Sequence, residues 1–373
     1  MSTSNAIHTG SVQGPGSYFW PSVSPFIASG LDPLSGFVHE VYTQVCSGLS
    51  DLINRVWEAA KHFFNAIVLF FSSSNEPSPL LSTAVNGESN WTNEKRMIIF
   101  NETKQAIEKG YYQNAQNKRF GLRQGHDLSI GSKFIAPVNR SSVTERYPTT
   151  QFKVASEDCL EMAQGYVNEN CRTAVVNFAS PDSPGGDCEE GTNAQEEQIC
   201  YRSELLGFMQ NEKYNRFDGV LYTLDSPDKL GGLIHTPKVQ VFRESQAKDF
   251  KFLESPFTIG ILSSSAPISP RLREINGRVD FLDEEKKELV RTLIRTQLQA
   301  AYNEGYQALV LGAFGCGTYE NPPDAVAQIY HEIISNEFKG AFKHIGFAIL
   351  GCLSGGPHNP RGNLKPFQDL FNP

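Results

Sequence analysis

The chain has 373 residues, 39% of them hydrophobic, which suffices for one large core plus an appendage and excludes a chain disordered throughout. A formal net charge of -8 excludes a general nucleic-acid binder, because phosphate backbones are held mainly by surplus Lys and Arg, and no direct binding of duplex nucleic acid is expected. The cysteines (Cys46, Cys159, Cys171, Cys188, Cys200, Cys316 and Cys352) are odd in number and widely spread, with no C-x-x-C pair and no His at metal-ligand spacing. Reduced thiols in an intracellular, cytoplasmic compartment are therefore expected, and no metal site.

Residues 1–30 are rich in Ser, Gly and Pro and lack a basic start followed by an apolar stretch, so no signal peptide is read there. Residues 1–48 are expected to form a flexible tail. From Leu49 to Phe71 the apolar residues follow helical spacing, interrupted by Arg55, Glu58, Lys61, His62 and Asn65. A bilayer span needs about 20 uninterrupted apolar residues, so this is an amphipathic helix and not a transmembrane one. Two roles stay open for residues 49–71: packing on the main domain or a protein partner, and lying on a membrane surface, including delivery of the chain as an effector. The stretch SSSNEPSPLLS that follows reads as a linker, so that residues 49–90 form helix and linker and residues 91–373 the main domain.

Beyond the linker the chain alternates between helical and strand patterns. Residues 93–110 predict a helix closed by Gly110, SKFIAPV a strand, 157–168 a helix, TAVVNF (173–178) a buried strand and 194–210 another helix. Short apolar runs follow at 218–224, 238–242 and 257–263. Then come the long helical pattern of 283–304, the strand ALVLGAF from Ala308, a helix from Asp324 to Phe338 and the strand HIGFAIL from His344. Such alternation implies a layered α/β domain with helices on both sheet faces, without internal repeats.

Ligands in such sheets sit at the carboxyl ends of strands. Two Gly-containing loops fall there, Asn177–Gly191 after TAVVNF and Gly312–Pro323 after ALVL. Glycines allow close backbone approach and turn N–H groups toward an anion, and a helix N-terminus adds partial positive charge, so the pair of loops can cradle a diphosphate without lysine. They equally suit plain tight strand-to-helix turns. Glu196 and Glu197, by themselves, equally suit a solvated helix start.

VVNFASPDSPGG followed by AQEEQICYRSELL resembles the signature of the microbial-type poly(ADP-ribose) glycohydrolases, a branch of the macrodomain fold, in which a Gly-rich loop precedes Gln-Glu-Glu. LGAFGCGTYENPPDAVA resembles the second phosphate loop of that family, and FNETKQAIEKGYY, HTPKVQVFRE, SSAPI and FKHIGFAIL resemble its flanking elements in the same order. The resemblance spans roughly Asn93 to Leu353. It implies a macrodomain-like three-layer α/β/α fold with a mixed central sheet, here with a helical N-terminal extension.

The same resemblance implies roles residue by residue. Glu197 matches the catalytic glutamate and Glu196 the neighbour that bonds the ribose hydroxyls; Gln195 precedes them. Asn177 matches an asparagine contacting the distal ribose. Gly185, Gly186, Gly315, Cys316 and Gly317 are implied to line the diphosphate, Tyr319 takes the place of an aromatic that orients the terminal ribose, and Asn321 completes the substrate-binding set. Arg202 and Ser203 fit the pattern as structural support. Where the family has a third glycine this chain has Asp187, a carboxylate unfavourable beside a diphosphate unless it points away.

Cleaving a ribose–ribose bond passes through an oxocarbenium-like transition state, which needs an acid for the leaving hydroxyl and a base for water. Glu197 is expected to serve as both. The leading expectation is a hydrolase acting on poly(ADP-ribose), or on ADP-ribose attached to a macromolecule, with no cofactor. A non-catalytic ADP-ribose reader and an inert domain located by its N-terminal helix are the alternatives. No G-x-x-x-x-G-K-[ST] is present for a P-loop nucleotidase, and no His is assignable to Cys316 for a Cys protease.

Overall fold

The structure is a computed structural model describing residues 91–123, 132–205, 207, 216–217, 220–221, 224–226, 229–350 and 356–372. The expected tail, amphipathic helix and linker, and the boundary near residue 90, lie outside these residues.

The first helix, α1 (Asn93–Lys109), begins where the Thr92 hydroxyl accepts the Lys95 N–H, and it ends at Gly110, whose left-handed φ of 72° lets its N–H cap the last turn. A short hairpin follows, β1 (Tyr111–Gln113) with β2 (Arg119–Gly121), then the sheet strands β3 (Lys133–Ile135) and β4 (Gln151–Ala155). Asp158 caps α2 (Cys159–Asn168) by accepting the N–H groups of Leu160 and Glu161, and β5 (Thr173–Phe178) leads to α3 (Gln195–Arg202).

A two-residue ribbon, β6 (Arg216–Phe217) and β7 (Val220–Leu221), precedes the long strands β8 (Leu233–Arg243) and β9 (Phe252–Ser264). The hairpin of β10 (Leu272–Ile275) and β11 (Arg278–Phe281) comes next. The domain closes with α4 (Glu284–Asn303), β12 (Ala308–Leu311), α5 (Pro323–Glu337), β13 (His344–Ala348) and α6 (Leu364–Phe371).

Seven strands form one mixed sheet in the order β3-β8-β9-β5-β12-β13-β4, parallel from β9 through β4 and antiparallel at β3-β8-β9. Every residue of β5 from Thr173 to Asn177 is buried, as expected of a central parallel strand covered on both faces. Alternation along that strand divides the core. Val175 packs with Val310, Ile261 and residues of α1, α2 and α3, whereas Ala174 and Val176 pack with Leu309, Leu311, Ile345, Phe347 and residues of α4, α5 and α6. This is the expected three-layer α/β/α arrangement. Among the described residues no helix is long and apolar enough to cross a membrane.

The structure changes several expected boundaries. The helix expected over 194–210 stops at Arg202, because Ser203 turns extended (φ -142°, ψ 166°), pairs with Val241 and turns its hydroxyl back to the Ile199 carbonyl at 2.8 Å. Strands β8 and β9 extend well past the apolar runs at 238–242 and 257–263. Strand β4 carried no expectation: it is an edge strand whose first three residues are exposed, so its sequence lacks a buried pattern.

Candidate active site

Because β5 and β12 are parallel neighbours, with Ala174 opposite Leu309 and Val175 opposite Val310, both Gly-containing loops leave the same edge of the sheet. On the other side of β5, Asn177 lies opposite Ser263 of β9. Glu196 and Glu197 occupy the first turn of α3, which returns to this edge directly after the first loop.

Gln195 fixes that return. Its side-chain oxygen accepts the Phe178 N–H at 2.7 Å and its amide donates to the Val176 carbonyl at 2.8 Å, extending the hydrogen bonding of β5 onto the helix. With both ends of its amide engaged by backbone, Gln195, expected in the substrate-binding set, holds the start of the helix that carries the two glutamates.

Glu196 is 3% exposed and accepts three hydrogen bonds from the protein, leaving capacity on Oε2. Its Oε1 accepts from Asn177 Nδ2 and from the Gly185 N–H, both at 3.2 Å, and its Oε2 accepts the Ser180 N–H at 2.7 Å. Asn177 also donates to Ser263 Oγ at 3.1 Å, while its buried Oδ1 has no hydrogen-bond partner. Glu197 is 5% exposed; its Oε1 accepts the Asp187 N–H at 3.0 Å, and its buried Oε2 has no hydrogen bond.

Burial raises the pKa of both carboxyls, that of Glu196 up to about 8, against the opposing pull of their hydrogen bonds. Two carboxylates this close do not both ionise readily near neutral pH. Glu197 Oε2 is the position suited to the retained proton, because both oxygens of Glu196 already face N–H donors.

The first loop wraps the carboxylates. Its Gly185 and Asp187 N–H groups are spent on Glu196 and Glu197, and the Gly186 N–H on the Ser183 carbonyl at 2.8 Å. Gly185 and Gly186, expected in the substrate-binding set, also seat the glutamates. Gly186 has φ +59°, and a Cβ there would lie 2.3 Å from Glu197 Oε1 and 3.3 Å from Glu196 Oε2, so no other residue fits without moving the carboxylates. Asp187 is exposed and makes its contact to Glu197 through its backbone alone; its carboxylate does not occupy the site.

The second loop has N–H groups to spare. Its internal bonds use the N–H groups of Phe314, Cys316, Glu320 and Asn321, and those of Gly317, Thr318 and Tyr319 lie outside that set. Gly317 is exposed, and a Cβ at this position would meet nothing within 4 Å, which is the open approach an anion needs. Gly315, at φ +73°, is pressed against Ala266 and Asn321. The Asn321 amide donates to the carbonyls of Pro267 (2.7 Å), Gly315 (3.1 Å) and Tyr319 (3.2 Å), so this residue of the expected set pins the loop.

Cys316 likewise contributes backbone only. Its thiol is fully buried, with burial pushing its pKa far up, and its carbonyl accepts from His358 Nε2 at 3.2 Å and Asn363 Nδ2 at 3.3 Å. The half-buried Tyr319 hydroxyl reaches Ser180 and feels the Glu196 charge, joining the second loop to the first.

Sequence reasoning missed Ser180, Ser263, His358 and Asn363. The only available signal was the position of Ser263 at the carboxyl end of an apolar run. It also missed Arg96, buried with Nε on the Gly191 carbonyl at 2.6 Å, which anchors the end of the first loop to α1. Arg202 is structural as expected, bonding both Asp158 oxygens at 2.8 Å.

The site is therefore a buried carboxylate pair beside a loop with unused N–H groups, carried on a macrodomain-like mixed sheet. Comparison with known proteins gives a family match. The model of the microbial-type PARG catalytic domain, PARG being poly(ADP-ribose) glycohydrolase, matches residues 101–244, which include the first loop and both glutamates. Among solved structures, poly(ADP-ribose) glycohydrolase from Thermomonospora curvata is 26% identical, with 74% of this chain and 100% of that chain covered and a TM-score of 0.61. The same enzyme bound to the inhibitor ADP-HPD gives 26% identity, 74% and 99% coverage and a TM-score of 0.56. The enzyme from Deinococcus radiodurans in complex with ADP-ribose gives 25%, with 68% and 98% coverage and a TM-score of 0.52. No curated protein matches the sequence. Over residues 101–244 the chain thus matches the microbial-type poly(ADP-ribose) glycohydrolase catalytic domain, and its fold is similar to those of these bacterial enzymes.

Proposed function

We propose that this chain is a hydrolase that cleaves the ribose glycosidic bond of poly(ADP-ribose), or of ADP-ribose attached to a modified macromolecule, with Glu197 as its acid and base. The observation carrying the role of Glu197 is its unpartnered Oε2, held in a buried pair where burial favours the proton. Glu197 donates that proton to the departing ribose oxygen as the bond to the anomeric carbon breaks. Its carboxylate then takes a proton from water, whose oxygen bonds to the same carbon. Glu196 is assigned to the ribose hydroxyls, with Asn177 Oδ1 beside it, and the N–H groups of Gly317, Thr318 and Tyr319 to the diphosphate.

The test compares wild type with Glu197→Gln, by calorimetric titration with ADP-ribose and by release of ADP-ribose from poly- and mono(ADP-ribosyl)ated protein. Loss of about 10²- to 10⁴-fold in turnover with binding retained is expected. Full activity in the variant would remove Glu197 from this role. The exposed Asp187 carboxylate weighs against a reader that has lost catalysis through obstruction.

We further assign the chain to a reducing, intracellular compartment, supported by Cys159, Cys171, Cys188, Cys200 and Cys316 being buried and unpaired. Residues 49–71 are assigned to contact with a membrane surface or a protein partner. A chain beginning near residue 90 that distributes in cells as the full chain does would refute that contact.

A further inference from the structure

At the amino edge of the sheet, opposite the carboxylates, three chemically distinct side chains meet that the proposed hydrolysis does not use. Glu169 caps the end of α2, Cys171 lies two residues before the start of β5 and His344 opens β13. Backbone bonds hold this corner together: the Cys171 N–H reaches the Tyr166 carbonyl at 3.0 Å, and the N–H groups of Lys343 and His344 both reach the Gln307 carbonyl, at 2.9 and 3.2 Å.

The Glu169 carboxylate, Cys171 Sγ and a His344 ring nitrogen lie within 4.8 Å of one another. The His344 side chain is 8% exposed and its ring is stacked on Tyr166, with centroids 5.0 Å apart and planes 23° from parallel. Its buried Nε2 makes no hydrogen bond, although Glu169 Oε2 lies only 3.2 Å away. That separation suits a shared cation: two ligands held about 2.0–2.1 Å from a tetrahedral zinc ion stand roughly 3.3–3.4 Å apart.

We propose that Glu169, Cys171 and His344 bind a divalent transition metal of the zinc type through one oxygen, one sulfur and one nitrogen, with the fourth position open to solvent. This mixture of donors favours zinc and its neighbours over calcium or magnesium, which take oxygen. On binding, the Cys171 thiol forms a sulfur–metal bond and releases its proton to solvent. The ion joins the end of α2 to the starts of β5 and β13. Lys343 Nζ stands 3.7 Å from Cys171 Sγ, so its ammonium opposes the cation and must swing outward on its flexible stem.

The test titrates cobalt(II), as a spectroscopic probe, and then zinc(II), in competition, into the chelator-treated full chain. One ion per chain is expected, with a thiolate-to-cobalt charge-transfer band in the near ultraviolet. Cys171→Ser abolishes the band and weakens zinc binding by at least about 10²-fold, while Cys46→Ser and Cys352→Ser keep it. Glu169 is exposed, so Glu169→Gln leaves the fold intact and weakens binding about tenfold, whereas Lys343→Ala strengthens it. Absence of the band, or a band and affinity unaltered by both Glu169→Gln and Lys343→Ala, overturns the site even where Cys171→Ser fails to fold.

Discussion

Replacing Gly186 by Ala separates catalysis from stability in a way that follows directly from the first loop. The new Cβ falls 2.3 Å from Glu197 Oε1 and 3.0 Å from Glu197 Cδ, far inside contact distance. The colliding atoms are the end of a side chain, which rotates away more easily than backbone shifts. The folding cost is therefore set by the left-handed φ of +59°, about 1–2 kcal/mol for a non-glycine residue, and by the Asp187 N–H bond to Glu197, about 1 kcal/mol. A loss of about 2–3 kcal/mol leaves a domain of this size folded at 25 °C. Catalysis suffers more, because clearing the clash moves Glu197 by about 1 Å, a displacement that costs about 10²-fold in rate. The assay pairs thermal unfolding with ADP-ribose release from poly(ADP-ribosyl)ated protein, and Gly317→Ala, whose Cβ meets nothing within 4 Å, is the control for stability. Gly186→Ala retaining wild-type turnover would refute the conclusion that this loop exists to seat the glutamates.

Asn321→Ala removes the three hydrogen bonds that pin the second loop, so ADP-ribose affinity in calorimetry should fall at least tenfold while the fold survives. Asp187→Gly should leave turnover within about threefold, since the contact to Glu197 is made by backbone. Its lost charge lowers the Glu197 pKa and moves the alkaline limb of the pH–rate profile to lower pH. The raised pKa values of the Glu196–Glu197 pair mean that the folded pair binds more protons than the unfolded one. Its contribution to stability is therefore full below the ordinary carboxyl range and is lost as pH rises toward about 8. Unfolding temperatures measured from pH 5 to 9 should accordingly fall less steeply in Glu196→Gln than in wild type; equal slopes would refute the assignment.

Much of the fold was legible because its cues are local. The Gly110 cap and the unbroken apolar run of β5 each rest on neighbouring residues, and the structure places them where the sequence does, whereas the helix read from 157 starts at Cys159 because Asp158 caps it. The end of α3 was not legible, since Ser203 leaves the helix to pair with Val241, a contact that no periodicity within 194–210 encodes. In the site, Gln-Glu-Glu identified the carboxylates, but the number of N–H donors reaching each one depends on how the first loop folds back.

What the sequence determined by itself was a layered α/β domain, two glycine loops at strand ends and a glutamate pair in the first turn of a helix. Tertiary structure decided what each polar atom faces. It turned the first loop's N–H groups onto Glu196 and Glu197, set Gln195 and Asn321 to hold backbone, left Glu197 Oε2 unpartnered, and brought Glu169 and Cys171 to His344 from distant parts of the chain. The physical reason is that apolar spacing and turn chemistry act over a few residues, whereas a buried hydrogen bond is satisfied by whatever donor the packed chain carries to it.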